Sequence, residues 1–454
     1  MNENIYEKKV LEKITPTKDY RIKLETIIKD INKKLEKQIK KRKLPVTIEL
    51  VGSTAKDTYL KDDLDIDFFL KFPTRYSKDE IAKNTLIIGK SILSKTEESY
   101  AEHPYIRGYY QKYLVEVVPC YKIESTSQKM SAVDRTPYHT RYVIDKLNES
   151  QRPEVRLFKQ FLKGIDCYGA ESEIEGFSGY LCEILIIKYQ NFKKLLSDAK
   201  NWKEGKKLSL TDEDTPDFNT PLIFIDPVDV NRNVASALSS DKFNLFVRAA
   251  DEYLKNPKIT FFFPNKIKPW TLEKISEKID RQDCKYMGIK INKPDIIDEN
   301  LYPQARKASK SIWESCERAD FTIYDIRFYI DEEKKDIYFI IKTKDEILPK
   351  TFTHTGPPKK LKSHMNEFLK KWENDPRVIK KPYEKNERYF VEIKREYTDI
   401  SDFLDDQMKN LSLGKHLDRI VSKEYKILEK SDILIDRLSS FWTEYLDAKM
   451  SWER

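Results

Sequence analysis

Cysteine and histidine are scarce in this sequence, with five of each among 454 residues. The cysteines are scattered singly, without a Cys-x-x-Cys pair, and the histidines do not stand at metal-ligand spacing from them. We therefore expect neither a zinc site nor a disulfide framework. Reduced, unpaired thiols are typical of an intracellular protein.

Long apolar runs are also missing. No stretch of about 18 apolar residues occurs, and the N-terminal sequence MNENIYEKK lacks the apolar core of a secretory signal peptide. We therefore expect a cytoplasmic protein that has no membrane partner.

A strong excess of one charge sign is absent as well. The chain has 84 Lys and Arg against 76 Asp and Glu, for a net charge of +8. This mild excess does not identify a nucleic-acid partner, because ordinary solubility accounts for it. Apolar residues make up 39% of the chain, which suffices for globular packing. The length exceeds what one core supports, so about three or four domains are expected.

Lysine is nevertheless concentrated in two local clusters. One spans residues 33–43, and the other lies within 359–389, where it is interleaved with Trp372, Tyr383 and Tyr389. The second combination suits phosphate contact together with stacking on bases or riboses. Solvated helix faces explain such lysine runs about as often, so both interpretations stay open.

The most informative segment is GSTAKDTYLKDDLDID, residues 52–67. A β-branched strand over 46–51 leads into its Gly-Ser turn, a short helical segment follows, and a second strand carries Asp65 and Asp67. Side chains two apart on a strand point to the same face. Two carboxylates beside a turn that can hold phosphate suit Mg²⁺ and a nucleoside triphosphate.

Neither half of this motif is specific by itself. With 76 acidic residues, chance alone places an acid-x-acid pair at roughly a dozen positions, and a Gly-Ser dipeptide is most often an ordinary turn. A solvated acidic strand edge is therefore the simpler alternative for Asp65 and Asp67. The conjunction favours a site, because both stand inside the apolar stretch 64–69, where a charge is costly without a counter-ion such as a metal.

The order of strand, Gly-Ser turn, spacer and Asp-x-Asp resembles the nucleotidyltransferase superfamily of DNA polymerase β, poly(A) polymerases and tRNA nucleotidyltransferases. That superfamily needs a third carboxylate on a neighbouring strand. The candidate is Glu116, which stands in the otherwise apolar stretch YLVEVVPC, residues 113–120. Without the aspartates, Glu116 would be interpreted as a satisfied edge residue.

Longer blocks narrow the resemblance to the archaeal, class I CCA-adding enzymes. In chain order they are YAEHPY (100–105), VVPCYK (117–122), SAVDRTPYH (131–139), GFSGYLCE (176–183), DPVD (226–229) with RN (232–233), KPDIID (293–298) and NLYPQ (300–304). The blocks keep the family's order, and the C-terminal third of the chain matches more loosely.

This resemblance implies an α+β multidomain protein. The expected parts are a polymerase β-like nucleotidyltransferase head that carries the chemistry (1–145), a helical central domain that completes the nucleotide pocket (146–258), and an α/β body with a helical tail that binds tRNA (259–454).

The resemblance also implies the catalytic residues. Asp65, Asp67 and Glu116 would bind two Mg²⁺ ions. The family more often has Glu at the first of these positions and Asp at the third, so this chain exchanges the two. Such an exchange moves a carboxylate by about one methylene, which matters because Mg²⁺ tolerates little geometric error.

The resemblance also implies nucleotide-binding residues, and the lysine cluster near residue 360 supplies proposed RNA-binding residues. The nucleotide contacts implied are Ser53, Lys56, His139, Lys159, Tyr168 and Arg232, and the proposed RNA contacts are Lys359, Lys360 and Lys362. Lys56 stands where the family has arginine, so it keeps the charge but loses the planar fork. Arg232 would read the edge of C or A together with the RNA end, and a salt bridge to Asp226 or Asp229 is the alternative.

Three of these residues also have ordinary structural interpretations. Lys159 would otherwise be a solvated helix lysine, Tyr168 a core aromatic, and His139 a structural histidine. Their assignment as nucleotide contacts rests on the resemblance.

The function implied is template-independent addition or repair of the 3′-terminal CCA of tRNA from CTP and ATP, with contacts to the acceptor–TΨC arm. A homodimer is compatible with the sequence. One alternative is a poly(A) polymerase or an oligoadenylate synthetase-like enzyme, which would share the same head. The other is a catalytically inactive RNA-binding protein.

Local patterns predict several elements whose limits matter below. Residues 16–43 are predicted to form one helix, with Thr15 as its cap and Pro16 in its first turn. One helix is also predicted over 179–195, and the polar piece 200–216 is predicted to be a loop. Strands within 285–342 are expected to share a sheet with a strand near 387–395.

Overall fold

The computed structural model describes residues 5–61, 63–100, 102–211 and 216–454. The chain divides into two compact units, Met1–Lys266 with Lys449–Arg454, and Ile267–Ala448. The C-terminal residues belong to the first unit, where Trp452 is buried and stacks on Phe261 with ring centroids 5.2 Å apart. The boundaries predicted after residues 145 and 258 stay predictions.

A five-stranded mixed sheet forms the head, which is the N-terminal part of the first unit. Its strands are β1 (Thr47–Val51), β2 (Asp65–Phe72), β3 (Ser94–Tyr100), β4 (Pro104–Tyr110) and β5 (Tyr113–Tyr121). Their order across the sheet is β1-β2-β5-β4-β3. β2 and β5 run parallel, and all other neighbours are antiparallel. Ile66, Phe68, Val115 and Val117 enter one core, so the alternate residues of β2 and β5 face the opposite side.

The helices of the head begin differently from the prediction. They are α1 (Ile5–Ile14), α2 (Lys18–Lys41), α3 (Gly52–Lys56), α4 (Lys78–Lys90) and α5 (Thr136–Lys146). The prediction of one helix over 16–43 with Thr15 as its cap was wrong. Thr17 is the cap, and its side chain accepts a hydrogen bond from the Tyr20 N–H. Thr15 instead belongs to the end of α1, where its N–H donates to the Leu11 carbonyl at 2.9 Å.

Helices dominate the rest of the first unit. They are α6 (Gln151–Gly164), α7 (Gly179–Tyr189), α8 (Phe192–Ala199) and α9 (Ser240–Lys255). A small sheet in the order β6-β7-β8 accompanies them, with strands β6 (Lys206–Leu208), β7 (Leu222–Asp226) and β8 (Asp229–Asn233). The core between these helices is rich in buried aromatic rings, including Phe158, Phe177 and Phe246.

Two predictions about this region need correction. The helix predicted over 179–195 breaks at Gln190, which has a φ of 73°, and Asn191 caps α8 by accepting from the Lys194 N–H. The loop predicted over 200–216 contains strand β6, while its residues 212–215 lie outside the described residues.

The second unit contains two separate sheets. The larger has the order β10-β11-β9-β15, and the smaller has the order β12-β14-β13. The strands are β9 (Lys285–Asn292), β10 (Ile323–Asp331), β11 (Asp336–Thr343), β12 (Thr351–Pro358), β13 (Val378–Lys385), β14 (Arg388–Lys394) and β15 (Lys426–Leu428). The helices are α10 (Leu272–Asp280), α11 (Asp298–Arg318), α12 (Lys362–Trp372), α13 (Ile400–Gln407), α14 (Lys415–Val421), α15 (Lys430–Ile433) and α16 (Ser439–Asp447).

The strand predicted near 387–395 exists, but its predicted sheet was wrong. β14 pairs with β12 and β13, and the edge strand that joins the larger sheet is β15. The register of β12 against β14 explains the outcome, because it buries Val391 and Ile393 against α12, in a small core separate from that of the larger sheet.

Within the four described ranges, no helix combines the length and the apolar character that crossing a membrane requires.

Candidate active site

The end of β1 sets the geometry of the candidate site. Gly52 follows β1 with a φ of +71°, and a Cβ atom there would lie 2.0 Å from Asp67 Oδ2. Only glycine combines this backbone conformation with so close an approach. The Gly-Ser turn that the sequence singled out is therefore packed directly against the second aspartate, and Ser53 is the second residue of α3.

Strand pairing brings the three predicted carboxylates to one face of the head sheet. Asp65 and Asp67 alternate with the buried Ile66 on β2, and Asp67 is the register partner of Glu116 on the parallel strand β5. The side chain of Asp65 is 49% exposed, whereas that of Glu116 is 20% exposed. The sequence prediction that these residues share a face is thus matched by the geometry.

Burial and mutual repulsion disfavour the ionised form of these carboxylates. Burial, together with the negative charges of Glu116 and Asp65, raises the pKa of Asp67 to about 7. Burial also raises the pKa of both Asp65 and Glu116. The cluster therefore lacks enough positive charge of its own to balance three carboxylates.

Arg107 is the cation nearest to this cluster, and the sequence analysis missed it. Its Nε lies 3.2 Å from Glu116 Oε1, and its Nη2 lies 3.8 Å from Asp65 Oδ2. The signal was available only from strand pairing, because Arg107 on β4 is the register partner of Glu116.

The carboxylate oxygens of Asp65, Asp67 and Glu116 are suitable ligands for a divalent metal ion, although the three side chains do not converge into a complete metal site. Among the described residues, no three His, Cys, Asp or Glu side chains converge closely enough to hold a metal ion. Carboxylate oxygens are nevertheless the ligands that Mg²⁺ and similar hard cations prefer. The raised pKa of Asp67 shows that added positive charge would stabilise the ionised cluster.

A second cluster surrounds Glu183, another residue that the sequence analysis did not single out as functional. Lys56 Nζ lies 2.5 Å from Glu183 Oε2, and Lys159 Nζ lies 3.6 Å from Glu183 Oε1. Thr58 donates its hydroxyl to Glu183 Oε1 at 2.5 Å, and Lys159 donates to the Thr58 carbonyl at 3.1 Å. The structure thereby joins two of the predicted nucleotide contacts through one carboxylate.

This cluster is deeply buried, which makes its charges interdependent. Glu183 is 0% exposed, Lys159 is 2% exposed and Lys56 is 8% exposed. Burial lowers the pKa of Lys159. Burial alone would raise the pKa of Glu183, but the charges of Lys56 and Lys159 outweigh it and lower that pKa. The interpretation of Lys159 as a solvated helix lysine is therefore wrong.

Tyr168 lies close to the same cluster. A Cβ atom on Gly179, at the start of α7, would lie 3.2 Å from Tyr168 Oη and 3.8 Å from Lys159 Nζ. Lys163 Nζ lies 5.5 Å from the centre of the Tyr168 ring, on its face. Tyr168 is thus partly covered, and its hydroxyl approaches the same helix start as Lys159.

Asp226, at the end of β7, is the centre of a third cluster. Its Oδ2 lies 2.8 Å from His139 Nε2 and 2.8 Å from Arg232 Nη1, and Tyr180 donates its hydroxyl to Oδ1 at 3.2 Å. The His139 and Tyr180 rings stack with centroids 4.1 Å apart. Of the two salt-bridge partners considered for Arg232, the structure shows Asp226, while Asp229 pairs with Arg135 and Lys129.

Burial and the neighbouring cation fix the charge states in this third cluster. Burial lowers the pKa of His139 more than the adjacent Asp226 raises it. Burial would raise the pKa of Asp226, but its hydrogen bond with His139 and the Arg232 charge lower it. The two shifts favour an ionised Asp226, which holds Arg232, and a neutral imidazole on His139.

The three predicted RNA contacts lie in the second unit. Lys359, Lys360 and Lys362 are all exposed, and Lys359 Nζ lies 2.9 Å from Glu384 Oε1. Trp372 does not belong to an exposed stacking surface, because it is only 3% exposed and packs with Phe368 in the core beneath β14. Its proposed role in base stacking is therefore wrong.

Three protein-family models match the chain. A nucleotidyltransferase domain matches residues 32–139, the second domain of tRNA nucleotidyltransferases matches 153–263, and the C-terminal domain of CCA-adding enzymes matches 283–430. The first confirms the expected nucleotidyltransferase head, and the sheets and helices described above confirm the α+β class.

Curated relatives match nearly the full length. The CCA-adding enzyme of Methanosarcina barkeri is 34% identical over 428 residues, which cover 93% of each chain. The CCA-adding enzyme of Methanocaldococcus jannaschii is 36% identical over 430 residues, which cover 90% of this chain and 92% of the relative. That of Picrophilus torridus is 33% identical over 413 residues, covering 91% and 93%.

Solved structures match over a shorter part of the chain. A complex of the Cid1 poly(U) polymerase with Mg and 3′-dATP has a TM-score of 0.45 at 13% identity, covering 56% of this chain and 94% of that one. The E. coli MS115-1 CdnC structure with ATP has a TM-score of 0.44 at 14% identity, covering 57% and 94%. These scores are too low to support any argument about function.

The alignments with these curated relatives cover at least nine-tenths of this chain and of each relative. The three family models match successive parts of the chain. The chain therefore belongs to the CCA-adding enzymes, a family of tRNA nucleotidyltransferases.

Proposed function

We propose that this chain adds or repairs the 3′-terminal CCA of tRNA, using CTP and ATP without a nucleic-acid template and releasing pyrophosphate. One observation carries the proposal: Asp65, Asp67 and Glu116 share one face of a nucleotidyltransferase head, beside the Gly-Ser turn, in a chain that belongs to the CCA-adding enzymes.

The three carboxylates are the proposed holders of a divalent metal, which we expect to be Mg²⁺. When bound, it would supply the positive charge that favours the attacking 3′-oxygen and offsets the charge of the triphosphate. The protein's own contribution is to keep Asp67 and Glu116 opposite each other by strand register and to keep Gly52 free of a side chain.

The Glu183 cluster supports a triphosphate site beside these carboxylates. Two lysines, Lys56 and Lys159, face one carboxylate, so basic side chains outnumber the acidic one in this buried setting. Glu183 and Thr58 fix the two ammonium groups and thereby remove most of their conformational freedom before substrate arrives. Ser53 and Tyr168 would add hydroxyl and backbone N–H donors to phosphate oxygens.

Arg232 is the proposed reader of the base. Its contact with Asp226 uses Nη1, so the remaining guanidinium N–H groups can donate to cytosine O2 and N3 or to adenine N1. The side chain is 29% exposed, which leaves it accessible to a nucleotide. His139 and Tyr180 hold the same carboxylate, so they position Arg232 indirectly.

Recognition of tRNA is assigned to the body and tail, residues 259–454, while the head (1–145) performs the chemistry and the central domain (146–258) completes the nucleotide pocket. Helical RNA is recognised mainly through shape and backbone, so exposed lysines can contact the acceptor–TΨC arm without reading its sequence. The homodimer and the cytoplasmic location stay predictions, and sedimentation analysis tests the first.

Incubation of a tRNA that lacks CCA with single and mixed nucleoside triphosphates tests the proposal against its alternatives. We expect addition of two C residues and one A, followed by arrest. Continued addition of A would identify a poly(A) polymerase or an oligoadenylate synthetase-like enzyme. A complete lack of incorporation with intact tRNA binding would identify an inactive RNA-binding protein.

The first mutational prediction concerns the carboxylates. Asp67→Asn should reduce C and A addition alike by at least about 10²-fold, because it removes a charge needed to hold the metal. Binding of tRNA, measured by filter retention, should persist. The control is Asp251→Asn, which removes a carboxylate paired with Lys255 on α9 and should leave addition nearly unchanged. Normal turnover of Asp67→Asn would contradict the assignment.

The second prediction concerns Glu183. Glu183→Gln leaves Lys56 and Lys159 buried without their counter-ion, so the free energy of unfolding should fall by about 3–5 kcal/mol. The KM for both nucleotides should rise as well, because the lysines lose their fixed position. Denaturant titration and initial rates measure the two effects. Glu98→Gln, which breaks an exposed pair with Lys90, is the control and should change stability by no more than about 0.5 kcal/mol.

The third prediction separates base selection from chemistry. Arg232→Ala should raise the KM for CTP and ATP and relax discrimination against UTP and GTP, because it removes the donors that read the base edge. The measurement is kcat/KM for each of the four nucleotides. Arg248→Ala, on the exposed face of α9, is the matched control. An equal loss for all four nucleotides would show that Arg232 is structural.

The fourth prediction concerns RNA binding by the second unit. Replacing Lys359, Lys360 and Lys362 with Ala should weaken tRNA binding and flatten the log–log salt dependence by up to about 2 units, because phosphate contacts release counter-ions. The exposed Lys359–Glu384 pair is weak enough to exchange for phosphate. A minihelix with the acceptor–TΨC stack should be affected about as much as full tRNA.

Addition at saturating RNA should remain nearly normal in this triple variant. A control triple variant at the exposed positions Lys8, Lys9 and Lys18 removes the same charge from the first unit. If both variants gave the same salt slope as the unmodified protein, the 359–362 lysines would be only a solvated face.

A further inference from the structure

Arg107 is a charged residue of the head that the proposed reaction does not use, although it lies among the catalytic carboxylates. Its guanidinium contacts Asp65 and Glu116, which are two of the three proposed metal ligands, at 3.8 Å and 3.2 Å. The two carboxylates stand on the neighbouring strands β2 and β5, so a single guanidinium group bridges them.

Strand register places Arg107 there. Arg107 on β4 is the antiparallel partner of Glu116, and Glu116 is the parallel partner of Asp67 on β2. Ile106 enters the core on one side of β4, so Arg107 points to the opposite face, which is the face of the carboxylates. The contact is therefore built into the sheet and does not depend on a mobile loop.

Arg107 can also leave these carboxylates for other partners. Nε of Arg107 is enclosed, yet it forms no hydrogen bond of acceptable geometry within the described residues. The side chain is 40% exposed, which leaves room for it to turn towards solvent. On its other side, β3 places Glu97 as the register partner of Arg107, an alternative carboxylate on the same face.

We propose that Arg107 competes with the divalent metal: its guanidinium neutralises Asp65 and Glu116 when no metal is bound, and metal binding displaces it from them. This inference rests on the proposed metal-binding role of Asp65, Asp67 and Glu116. Arg107 acts through these ligands, so it is a positioning residue. Its effect is to weaken metal affinity while preventing repulsion among the carboxylates from destabilising the metal-free head.

Metal binding to the full chain without nucleotide or RNA tests the competition. Titration with Mn²⁺ can be followed by the electron paramagnetic resonance of the free ion. Arg107→Gln should bind Mn²⁺ at least about fivefold more tightly than the unmodified protein, because a positive charge next to the ligands is removed. Arg107→Lys keeps the charge and should stay within about twofold of the unmodified protein. Arg141→Gln removes an equivalent pair with Glu49 elsewhere in the head and is the control.

Thermal unfolding gives a second readout that does not depend on activity. In chelator, Arg107→Gln should melt below the unmodified protein, and saturating Mg²⁺ should raise its Tm by a larger amount, because tighter binding to the folded state stabilises it more. Should Arg107→Gln not fold, Arg107→Met keeps the aliphatic packing without the charge and carries the same expectations.

The outcomes separate this inference from the proposed function. Unchanged or weaker Mn²⁺ binding by the neutral variants would overturn the competition, as would an Arg107→Lys variant that binds as tightly as they do. Asp67→Asn tests the site itself. If Asp67→Asn left Mn²⁺ binding intact, the proposed metal site would fail. If it abolished binding while the neutral Arg107 variants matched the unmodified protein, only the competition would fail.

Discussion

Repulsion among three carboxylates on one sheet face is the constraint on which the active-site head depends. The parallel pairing of β2 with β5 places Asp67 opposite Glu116, and burial there raises the pKa of Asp67 to about 7. Hydrophobic packing of the opposite sheet face holds the strands in this unfavourable electrostatic arrangement. The fold thus leaves the carboxylates short of positive charge at the position where the proposed nucleotidyl transfer would need a cation.

The other two clusters follow a related principle, in which one buried acid orders basic groups around it. Glu183 fixes Lys56 and Lys159, and Asp226 fixes Arg232 beside His139. A buried carboxylate with two or more partners satisfies its own hydrogen-bonding needs and restricts long, flexible side chains. Under the proposed function, this positive charge would be presented to the nucleotide without the entropic cost of ordering it at each turnover.

Local patterns predicted the strands that carry the candidate site, and they failed at some helix ends and in the choice of strand partners. Apolar patterning predicted three head strands, β1, β2 and β5, whereas β3 and β4 were not predicted. The single helix over 179–195 and the sheet assigned to residues 387–395 were wrong. The break at Gln190 comes from the local cap at Asn191, which the sequence analysis missed. The partner of β14 is instead chosen by packing of Val391 and Ile393 against α12.

The sequence by itself determined the family, the nucleotidyltransferase head, and the shared face of Asp65 and Asp67, because unusual residues at fixed spacing and the two-residue period of a strand are local properties. Only the tertiary structure decided that Arg107 faces Glu116, that Glu183 joins two lysines, and that Trp372 is buried. Those contacts join residues far apart in the chain. Strand register and core packing determine them, and neither can be inferred from a local sequence pattern.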